Sequence, residues 1–453
     1  MKCFLIILQA SVLALSGPAP AAAQPPPAPV RAPAPPLAGG GFGAGAASRD
    51  SALAAPVADE QARHEPAVDA VDAVDGDAGP AAEARGDGAQ ARRGVDYLWV
   101  PRTALLTPAS IDSVVARARA MGVRGLLVQV VGRGDAYYRS AILPRAEAIP
   151  AGSAPDFDPL GEVLVRGHAA GIEVHAWMNC LLVWSAPRRP ADPRHVVNAH
   201  SEWVARLKGG RSMMQLSARE RRRLGIEGVF LTPAHPRVRT WLACIAREIA
   251  MNYSVDGIHL DYIRQPDVAV GYDPTTRARF ALTSGVDPGR FFRLPPALRP
   301  SVDSAWAAFQ REQVTAVVRE VRDSLQAARP GIALSAAVVA DTIRAERRNA
   351  QPWRTWVREG VLDRVFLMCY APAVQTVMDQ LLGLALELGV SDRVVPGISV
   401  FNTSPGTAAL KIKGAREIGF PRIALYAYDS LFLNPGRWMA LHDQLQPAGR
   451  RTP

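Results

Sequence analysis

The chain of 453 residues has few cysteines, few lysines and no long apolar run beyond its first segment. Three of its four cysteines, Cys180, Cys244 and Cys369, follow residue 23, so this part can form at most one disulfide. A disulfide-based scaffold is therefore excluded, and we expect free, buried thiols. After the first segment, no window of ~18 consecutive apolar residues occurs, so we predict no transmembrane helix there. With 48% apolar and 21% charged residues, the composition still allows a large folded core.

The first residues have the pattern of an export signal. Lys2 precedes an apolar run over residues 4–16, which is shorter than the ~20 residues that span a bilayer, and small residues occupy positions 21–23. We predict a signal peptide over residues 1–23, cleaved near Ala23, and secretion to a bacterial periplasm. Residues 24–94 are rich in alanine, proline, glycine and aspartate, which predicts a disordered linker.

Charge is unevenly distributed along the chain. Residues 58–90 hold nine acids and two bases, so that residues 91–453 carry a net charge of +15 within the total of +10. Such a basic region attracts acidic polymers at long range. Arginine-rich stretches such as residues 219–223 are more often solvated helix faces than nucleic-acid sites, and an export signal makes nucleic acid a less suitable partner. We predict no nucleic-acid binding.

From residue 95 onward, short β-rich apolar runs alternate with helical stretches. This alternation predicts parallel βα units, and runs such as GLLVQVV at residues 125–131 are typical of strands buried on both faces. Eight such units favour an α/β fold, a (β/α)8 TIM barrel over residues 95–445, with a disordered tail at 446–453. A doubly wound open sheet is the alternative, but no glycine-rich phosphate motif follows the first strand. The predicted strands are Tyr97–Pro101, Gly125–Val131, Glu173–Met178, Gly257–Tyr262, Ala333–Val339, Arg364–Met368, Val394–Ser399 and Arg422–Tyr426.

Long insertions follow the third and fourth predicted strands, over Leu182–Ala234 and Arg264–Pro300. Both leave the carboxyl ends of strands, where barrel enzymes build their sites, so we expect them to contribute to function. The helix predicted over Pro108–Met121 is followed by Gly122, which suits a left-handed C-cap.

The most informative segment is the fourth strand, which reads DGIHLDYIR over residues 256–264. Side chains alternate along a strand, so His259 and Asp261 point to the same side. An inward carboxylate beside an imidazole, Tyr262 and the guanidinium of Arg264 suits acid or base chemistry. The structural alternative is an internal Asp–Arg ion pair that stabilises the barrel mouth.

Polar and aromatic side chains also follow the other strands. A single buried histidine or tryptophan is more often part of a core, but aromatic rings beside carboxylates and amides suit sugar rings. The candidate substrate-binding residues are His259, Tyr262 and Arg264 together with Gln129, Arg133, Tyr138, His175, Trp177, Asn179, Tyr370, Tyr428 and Asp429.

Five segments carry a resemblance to a known family. The sequences QVVGRGDAYYRS, HAWMN, DGIHLDYIR, LMCYAP and YAYDSL occur in this order, within a likeness that extends over residues 95–440. The chain resembles the bacterial glycosyl hydrolase-like family 10, whose members are extracytoplasmic TIM barrels. The resemblance implies hydrolysis of glycosidic bonds in a bacterial polysaccharide, such as peptidoglycan or a matrix glycan. It places Asp261 at the position of the presumed catalytic carboxylate.

Glycosidases generally use a second carboxylate, for which we favour Asp341, then Asp135 or Asp429. A substrate N-acetyl group would remove the need for it.

We predict no cofactor and no metal, and the basic barrel favours an acidic glycan as the partner. One alternative is a non-catalytic glycan-binding barrel at the cell wall. Another is a metal-dependent hydrolase, but metal-dependent barrels of the amidohydrolase type carry His-x-His on the first strand, which here reads YLWVPR.

The predicted export signal has a direct test. When the full chain is expressed in a bacterium with a periplasm, we expect the recovered protein to begin at or near Gln24. N-terminal sequencing and intact mass measure this. Replacing Ala23 with arginine should reduce cleavage, because signal peptidase requires small residues there. Recovery of a protein that retains residues 1–23 would contradict the prediction.

Overall fold

The structure is a computed structural model, and it describes residues 94–154, 156–434 and 436–446. The predicted signal peptide at 1–23, the linker up to residue 93 and residues 447–453 of the predicted tail lie outside the described residues. Among the residues that are described, no helix is long and apolar enough to cross a membrane.

Eight parallel strands close into a barrel, as the sequence predicted. Their order around the barrel is β1, β10, β9, β8, β7, β6, β3 and β2, in which each strand pairs with the next and β2 returns to β1. The barrel strands are β1 (Tyr97–Val100), β2 (Gly125–Val131), β3 (Glu173–Asn179), β6 (Gly257–Asp261), β7 (Ala333–Val339), β8 (Arg364–Cys369), β9 (Val394–Ser399) and β10 (Ala424–Tyr426). The predicted bounds differ from these by at most two residues. The open doubly wound sheet is thereby excluded.

The predicted barrel helices are present and surround the strands. Their bounds are α1 (Pro108–Met121), α2 (Pro159–Ala169), α5 (Pro236–Asn252), α7 (Arg299–Ala328), α9 (Trp353–Arg358), α10 (Val374–Leu388) and α11 (Pro405–Ile418). Helix α1 ends as expected at Gly122, whose φ of 67° is left-handed and whose N–H binds the carbonyl oxygens of Ala118 and Arg119.

The two insertions contain elements that the sequence analysis did not predict. The first holds a two-stranded antiparallel sheet of β4 (Leu182–Trp184) and β5 (Val229–Phe230), with short helices α3 (Val196–Ala199) and α4 (Ala218–Arg223) between them. The second holds α6 (Pro274–Ser284). Three further short helices lie near the ends of strands: α8 (Thr342–Arg347), α12 (Tyr428–Phe432) and α13 (Arg437–Leu445).

Hydrophobic packing forms two separate layers. The larger one lies between the outward faces of the strands and the helices, and it includes Trp353 and Trp356 of α9. The smaller one fills the barrel interior, and its buried members are Tyr97, Trp99, Leu127, Trp177, Ala337, Phe366, Val395, Ala424 and Ala427. The second layer is rich in aromatic rings, because a few large side chains from alternate strand positions can fill an eight-stranded barrel.

The cysteines agree only in part with expectation. Cys180, Cys244 and Cys369 are all free thiols, and Cys180 and Cys369 are buried at the ends of β3 and β8. Cys244 on α5 is exposed, so the expectation that all three are buried is wrong.

The tight interior predicts the effect of adding a single methyl group. A Cβ at Gly397 of β9 would lie 2.7 Å from the carbonyl oxygen of Leu367 and 2.7 Å from the ring of Trp99. We expect Gly397→Ala to lower the free energy of unfolding by about 1–3 kcal/mol, because neither backbone nor indole can move aside.

The matched control is Gly383→Ala on α10, where a Cβ would have no atom within 4 Å. This change should raise the free energy of unfolding by about 0.5–1 kcal/mol through helix propensity. Urea unfolding measures both variants, and equal effects would contradict the packing described above.

Candidate active site

The carboxyl ends of the strands form a mouth lined with polar and aromatic side chains. Asp261 is the last residue of β6, and it pairs in register with Asn179, the last residue of β3. Asp261 is 8% exposed, Asn179 is 4% exposed and Trp177 lies one inward position below Asn179. The carboxylate therefore stands at the rim of the interior, close to solvent but largely shielded from it.

A chain of hydrogen bonds orders the amides beside Asp261. Asn179 Oδ1 accepts from Trp177 Nε1 at 3.0 Å and from Gln129 Nε2 at 3.3 Å, while Asn179 Nδ2 donates to the carbonyl oxygen of Gly132 at 2.8 Å. Gln129 Oε1 in turn accepts from Arg102 Nη1 at 2.9 Å. Because buried amides are costly without partners, this network fixes the side chains in one arrangement. The structure thus brings the predicted residues Gln129, Trp177 and Asn179 together.

Burial raises the pKa of Asp261 to about 6. The backbone N–H of Tyr262, the charge of Arg264 and the indole N–H of Trp177 all lower this pKa, while the charge of Glu227 raises it. Loss of hydration therefore outweighs the favourable contacts. A carboxyl group with a pKa near the working pH is suited to giving or taking a proton.

The backbone turns sharply directly after Asp261. Tyr262 has a φ of 48°, which a residue with a side chain rarely adopts, and its N–H donates to Asp261 Oδ1 at 2.6 Å. The next residues of the chain then place Arg264 so that its guanidinium carbon lies 4.8 Å from the centre of the Tyr262 ring. Strained backbone of this kind concentrates at functional sites, where surrounding structure maintains it.

The guanidinium of Arg264 has a partner that the sequence analysis missed. Arg264 Nη2 donates to Glu227 Oε1 at 2.8 Å, and the side chains are 4% and 19% exposed. Burial lowers the pKa of Arg264, but Glu227, together with Tyr262 and Asp261, more than offsets this effect, and the pKa is raised. Glu227 lies in the first insertion, two residues before β5. The sequence signal that could have identified Glu227 was its acidic side chain within an insertion that was already expected to be functional.

Aromatic rings form another wall of the mouth. The ring centres of Tyr370 and Tyr426 are 5.1 Å apart, and Phe401 lies 5.8 Å from Tyr370 and 6.0 Å from Tyr426. Tyr426 also lies 6.4 Å from Trp177, which adjoins Asp261. The predicted residue Tyr370 therefore belongs to an aromatic group at the mouth. The sequence analysis did not identify Phe401 as a member of this group.

Two histidines are not at the mouth, which corrects their assignment to substrate binding. His259 is fully buried, since its Nε2 accepts from Trp99 Nε1 at 3.1 Å and its Nδ1 lies 3.0 Å from Ser335 Oγ. Burial lowers the pKa of His259 well below its usual value, so the ring is neutral. His175 is close to the amino end of β3, beside Tyr97 and Glu173. At ~3.3 Å per residue, it lies more than 10 Å below Asn179.

Two tyrosines also point elsewhere. Tyr138 donates to Glu248 Oε2 at 2.9 Å and therefore packs against α5. The hydroxyl of Tyr428 accepts from Arg117 Nη1 at 2.9 Å on the outer side of the barrel, so neither tyrosine serves the mouth. Arg133 places its guanidinium 5.0 Å above the ring of Trp184, at the border of the first insertion.

The three carboxylates considered as the second acid occupy different settings. Asp341 is exposed and accepts from the N–H of Arg344 as the N-cap of α8. Asp429 accepts from the N–H of Ser430 in the first turn of α12. Asp135 is buried, its Oδ1 accepts from the N–H of Arg133 at 2.9 Å, and its Oδ2 has no hydrogen-bond partner among the described residues. Of the three, Asp341 thus serves as a helix cap.

A metal-dependent hydrolase would use His175, His259 and Asp261, and these side chains do not converge. His175 lies near the opposite end of the barrel from Asp261, and both ring nitrogens of His259 have protein partners. In the described part of the chain, no group of three or more His, Cys, Asp or Glu side chains is arranged to hold a metal ion.

Comparison with protein families identifies the relationship of this barrel. The family described as Glycosyl hydrolase-like 10 matches residues 93–404, which include Asp261, Glu227 and the aromatic wall up to Phe401. The chain belongs to this family. The match ends before β10, so the strand that closes the barrel lies outside it.

Named relatives support the same relationship. The chain is 24% identical over 268 residues to the protein named glycosyl hydrolase DigH of Escherichia coli K12, covering 56% of this chain and 55% of that protein. It is 22% identical over 269 residues to glycosyl hydrolase YngK of Bacillus subtilis, covering 55% and 46%. The match thus spans about half the length of each of these relatives.

Solved structures share the fold of this glycosyl hydrolase-like barrel. The PgaB (BpsB) glycoside hydrolase domain from Bordetella bronchiseptica has a TM-score of 0.57 at 16% identity, covering 78% of this chain and 99% of that one. The α-L-fucosidase isoenzyme 2 from Paenibacillus thiaminolyticus has a TM-score of 0.52 at 13% identity, covering 78% and 49%. At such identities the likeness concerns the (β/α)8 fold.

The raised pKa of Asp261 predicts a stability cost that depends on pH. Ionisation of this buried carboxylate destabilises the fold, so the cost is absent below its unfolded pKa near 3.8 and complete above about 6. Asp261→Asn removes it, and the amide still accepts from Tyr262. We expect the variant to exceed the wild type in free energy of unfolding by up to about 3 kcal/mol at neutral pH, with the difference vanishing near pH 4.

Urea unfolding of both proteins across this pH range measures the difference. Asp379→Asn, at an exposed position on α10, is the control and should show no pH-dependent gain. A variant that is less stable than the wild type by the same amount at every pH would contradict a raised pKa at Asp261.

Proposed function

We propose that this protein is an exported glycoside hydrolase that cleaves glycosidic bonds in a bacterial polysaccharide, with Asp261 as the proton donor to the leaving oxygen. The observation that carries this proposal is the largely buried carboxyl of Asp261 at the barrel mouth, with a pKa raised to about 6. Membership of the glycosyl hydrolase-like 10 family supports the reaction class.

The surroundings of Asp261 fit a sugar chain. Tyr370, Phe401 and Tyr426 offer aromatic faces on which sugar rings stack, and Trp177 adjoins both this group and Asp261. The ordered amides of Gln129 and Asn179 supply donors and acceptors of the kind that hydroxyl groups require. A sugar stacked on the rings would place its glycosidic oxygen near a carboxyl that is half protonated at about pH 6.

The complementary catalytic group depends on the substrate. A retaining or inverting mechanism needs a second carboxylate at a defined separation from the first, and the capping role of Asp341 makes it a poor candidate. Asp135, with its buried free oxygen, and Asp429 are the remaining candidates of the three. A substrate carrying an N-acetyl group would supply the nucleophile itself, which favours an N-acetylated glycan.

Charge favours an acidic glycan as the substrate. Residues 91–453 carry a net charge of +15, and a field of this sign attracts polymers that bear carboxylates. Peptidoglycan strands combine carboxylates with N-acetyl groups, and they occur in the periplasm to which the export signal would deliver the protein. We therefore propose peptidoglycan as the first substrate to test, with an acidic matrix glycan as the next.

A non-catalytic glycan-binding barrel is the second candidate. The observation that favours it is the use of Asp341, the first choice for the second acid, as the N-cap of α8. Such a protein would bind glycan strands and release no reducing ends.

One assay separates the two candidates. Purified wild-type protein should release reducing ends from peptidoglycan strands, and Asp261→Asn should lower kcat/KM by about 10²–10⁴-fold, as expected for loss of general acid catalysis. Asp379→Asn on α10 is the control and should retain wild-type activity. Binding without turnover by the wild type would support the binding barrel, and full activity of Asp261→Asn would remove Asp261 from the mechanism.

A further inference from the structure

Glu227 and Arg264 form an ion pair that is unusually well shielded for a charged pair. Arg264 Nη2 and Glu227 Oε1 are 2.8 Å apart, with side chains 4% and 19% exposed. Removing two charges from water is costly, and a buried pair often stabilises a protein less than apolar residues of the same size. The pair therefore calls for an explanation other than stability.

The position of the pair relative to Asp261 supplies one. Arg264 follows Asp261 by three residues and is the nearest arginine or lysine to it along the chain. In the described part of the chain, however, Arg264 forms its ion pair with Glu227 and not with Asp261. The oxygen Oδ1 of Asp261 instead accepts from the N–H of Tyr262, whose ring lies under the Arg264 guanidinium.

We propose that Glu227 is a positioning residue, which holds the Arg264 guanidinium to itself and so keeps Asp261 from forming an ion pair and losing its proton. The inference rests on the proposed function in that a proton donor must still hold its proton. Without Glu227, the guanidinium would lie three residues from an unpaired carboxyl in a shielded site. The charge of Arg264 acts on Asp261 and on Asp267. Asp267 is already paired with Arg344, so Asp261 is the available replacement partner.

The charged and titratable groups around Asp261 are few. Tyr262 and Arg264 come from its own loop, Cys180 from the end of β3 and Glu227 from the first insertion. Burial raises the pKa of the Cys180 thiol well above its usual value, so the thiol is neutral in the relevant range. Within the part of the chain that the structure describes, the charges of Arg264 and Glu227 then act on Asp261 with opposite sign.

Because the two charges act with opposite sign, removing each of them should shift the titration midpoint of Asp261 in opposite directions. Glu227→Gln removes a negative charge and frees Arg264, so the titration midpoint of Asp261 should fall by about one unit or more. Arg264→Met removes the positive charge, so the midpoint should rise. If neither charge acted on Asp261, both variants could be destabilised but the Asp261 midpoint would not move in opposite directions.

The double variant isolates positioning from simple charge. Glu227→Gln should lower the midpoint more in the wild-type background than in the Arg264→Met background, because only the former contains a guanidinium that can move to Asp261. The difference between the two steps is the coupling between the residues. Equal steps would show that Glu227 acts by its own charge and would overturn the positioning role.

The experiment is a carbon-13 NMR titration of the full chain with labelled aspartate carboxyls. The Asp261 signal is identified as the one missing from Asp261→Asn. Asp96→Asn is the matched control, because Asp96 also forms a shielded ion pair, with Arg416 at 2.7 Å, but it precedes β1 at the opposite end of the barrel. Its loss should leave the Asp261 midpoint unchanged.

The titration does not require turnover, so it can fail or succeed independently of the proposed function. Unequal steps in the double-variant comparison, in a protein that releases no reducing ends, would support Glu227 as a positioning residue and contradict the hydrolase. Unchanged midpoints in an active hydrolase would overturn the role of Glu227 alone. If Glu227→Gln does not fold, Glu227→Asp, which shortens the side chain and loosens the pair, must lower the midpoint, and an unchanged midpoint would overturn the proposal.

Discussion

The closed barrel directs alternate side chains of eight strands into one interior that has little room for water, and Asp261 ends one of these strands at the rim. A carboxylate in this place cannot recover its hydration from solvent. Three groups partly replace that hydration: the N–H of Tyr262, the indole of Trp177 and the more distant charge of Arg264. They do not replace it fully, so the proton is held more tightly than in water.

Much of the surrounding structure follows from this one constraint. The interior below Asp261 is filled by aromatic rings and by the neutral His259, whose two ring nitrogens are bound to Trp99 and Ser335. A charged histidine there would have needed a counter-ion and would have disturbed the balance at the rim. The amide network of Gln129 and Asn179 satisfies the polar groups of the neighbouring strands without adding charge. The fold is thereby less stable at the site where the proposed reaction requires a carboxyl group with a raised pKa.

The sequence predicted the barrel and the direction of its side chains, but not their height along the barrel axis. Hydrophobic runs placed the eight strands, and alternation correctly grouped His259 with Asp261 on one side. Each pair of residues along a strand, however, moves a side chain ~6.6 Å along its axis. His259 is therefore one layer below the rim and His175 lies near the other end, so neither side chain reaches the mouth.

Asp341 shows a second limit of prediction from the sequence, because an aspartate directly before a helix commonly serves as its N-cap. Glu227 shows a third, since its partner is 37 residues away and is set by the tertiary fold.

Proton donation by Asp261 to a glycosidic oxygen held at the barrel mouth is the step on which the proposed function depends. A crystal structure of the Asp261→Asn variant with a peptidoglycan oligosaccharide would reveal this geometry. We expect sugar rings stacked on Tyr370 and Tyr426 and a glycosidic oxygen within hydrogen-bond reach of the side chain at position 261, roughly 2.6–3.2 Å. An oligosaccharide bound with its glycosidic oxygens remote from position 261 would rule out proton donation by Asp261.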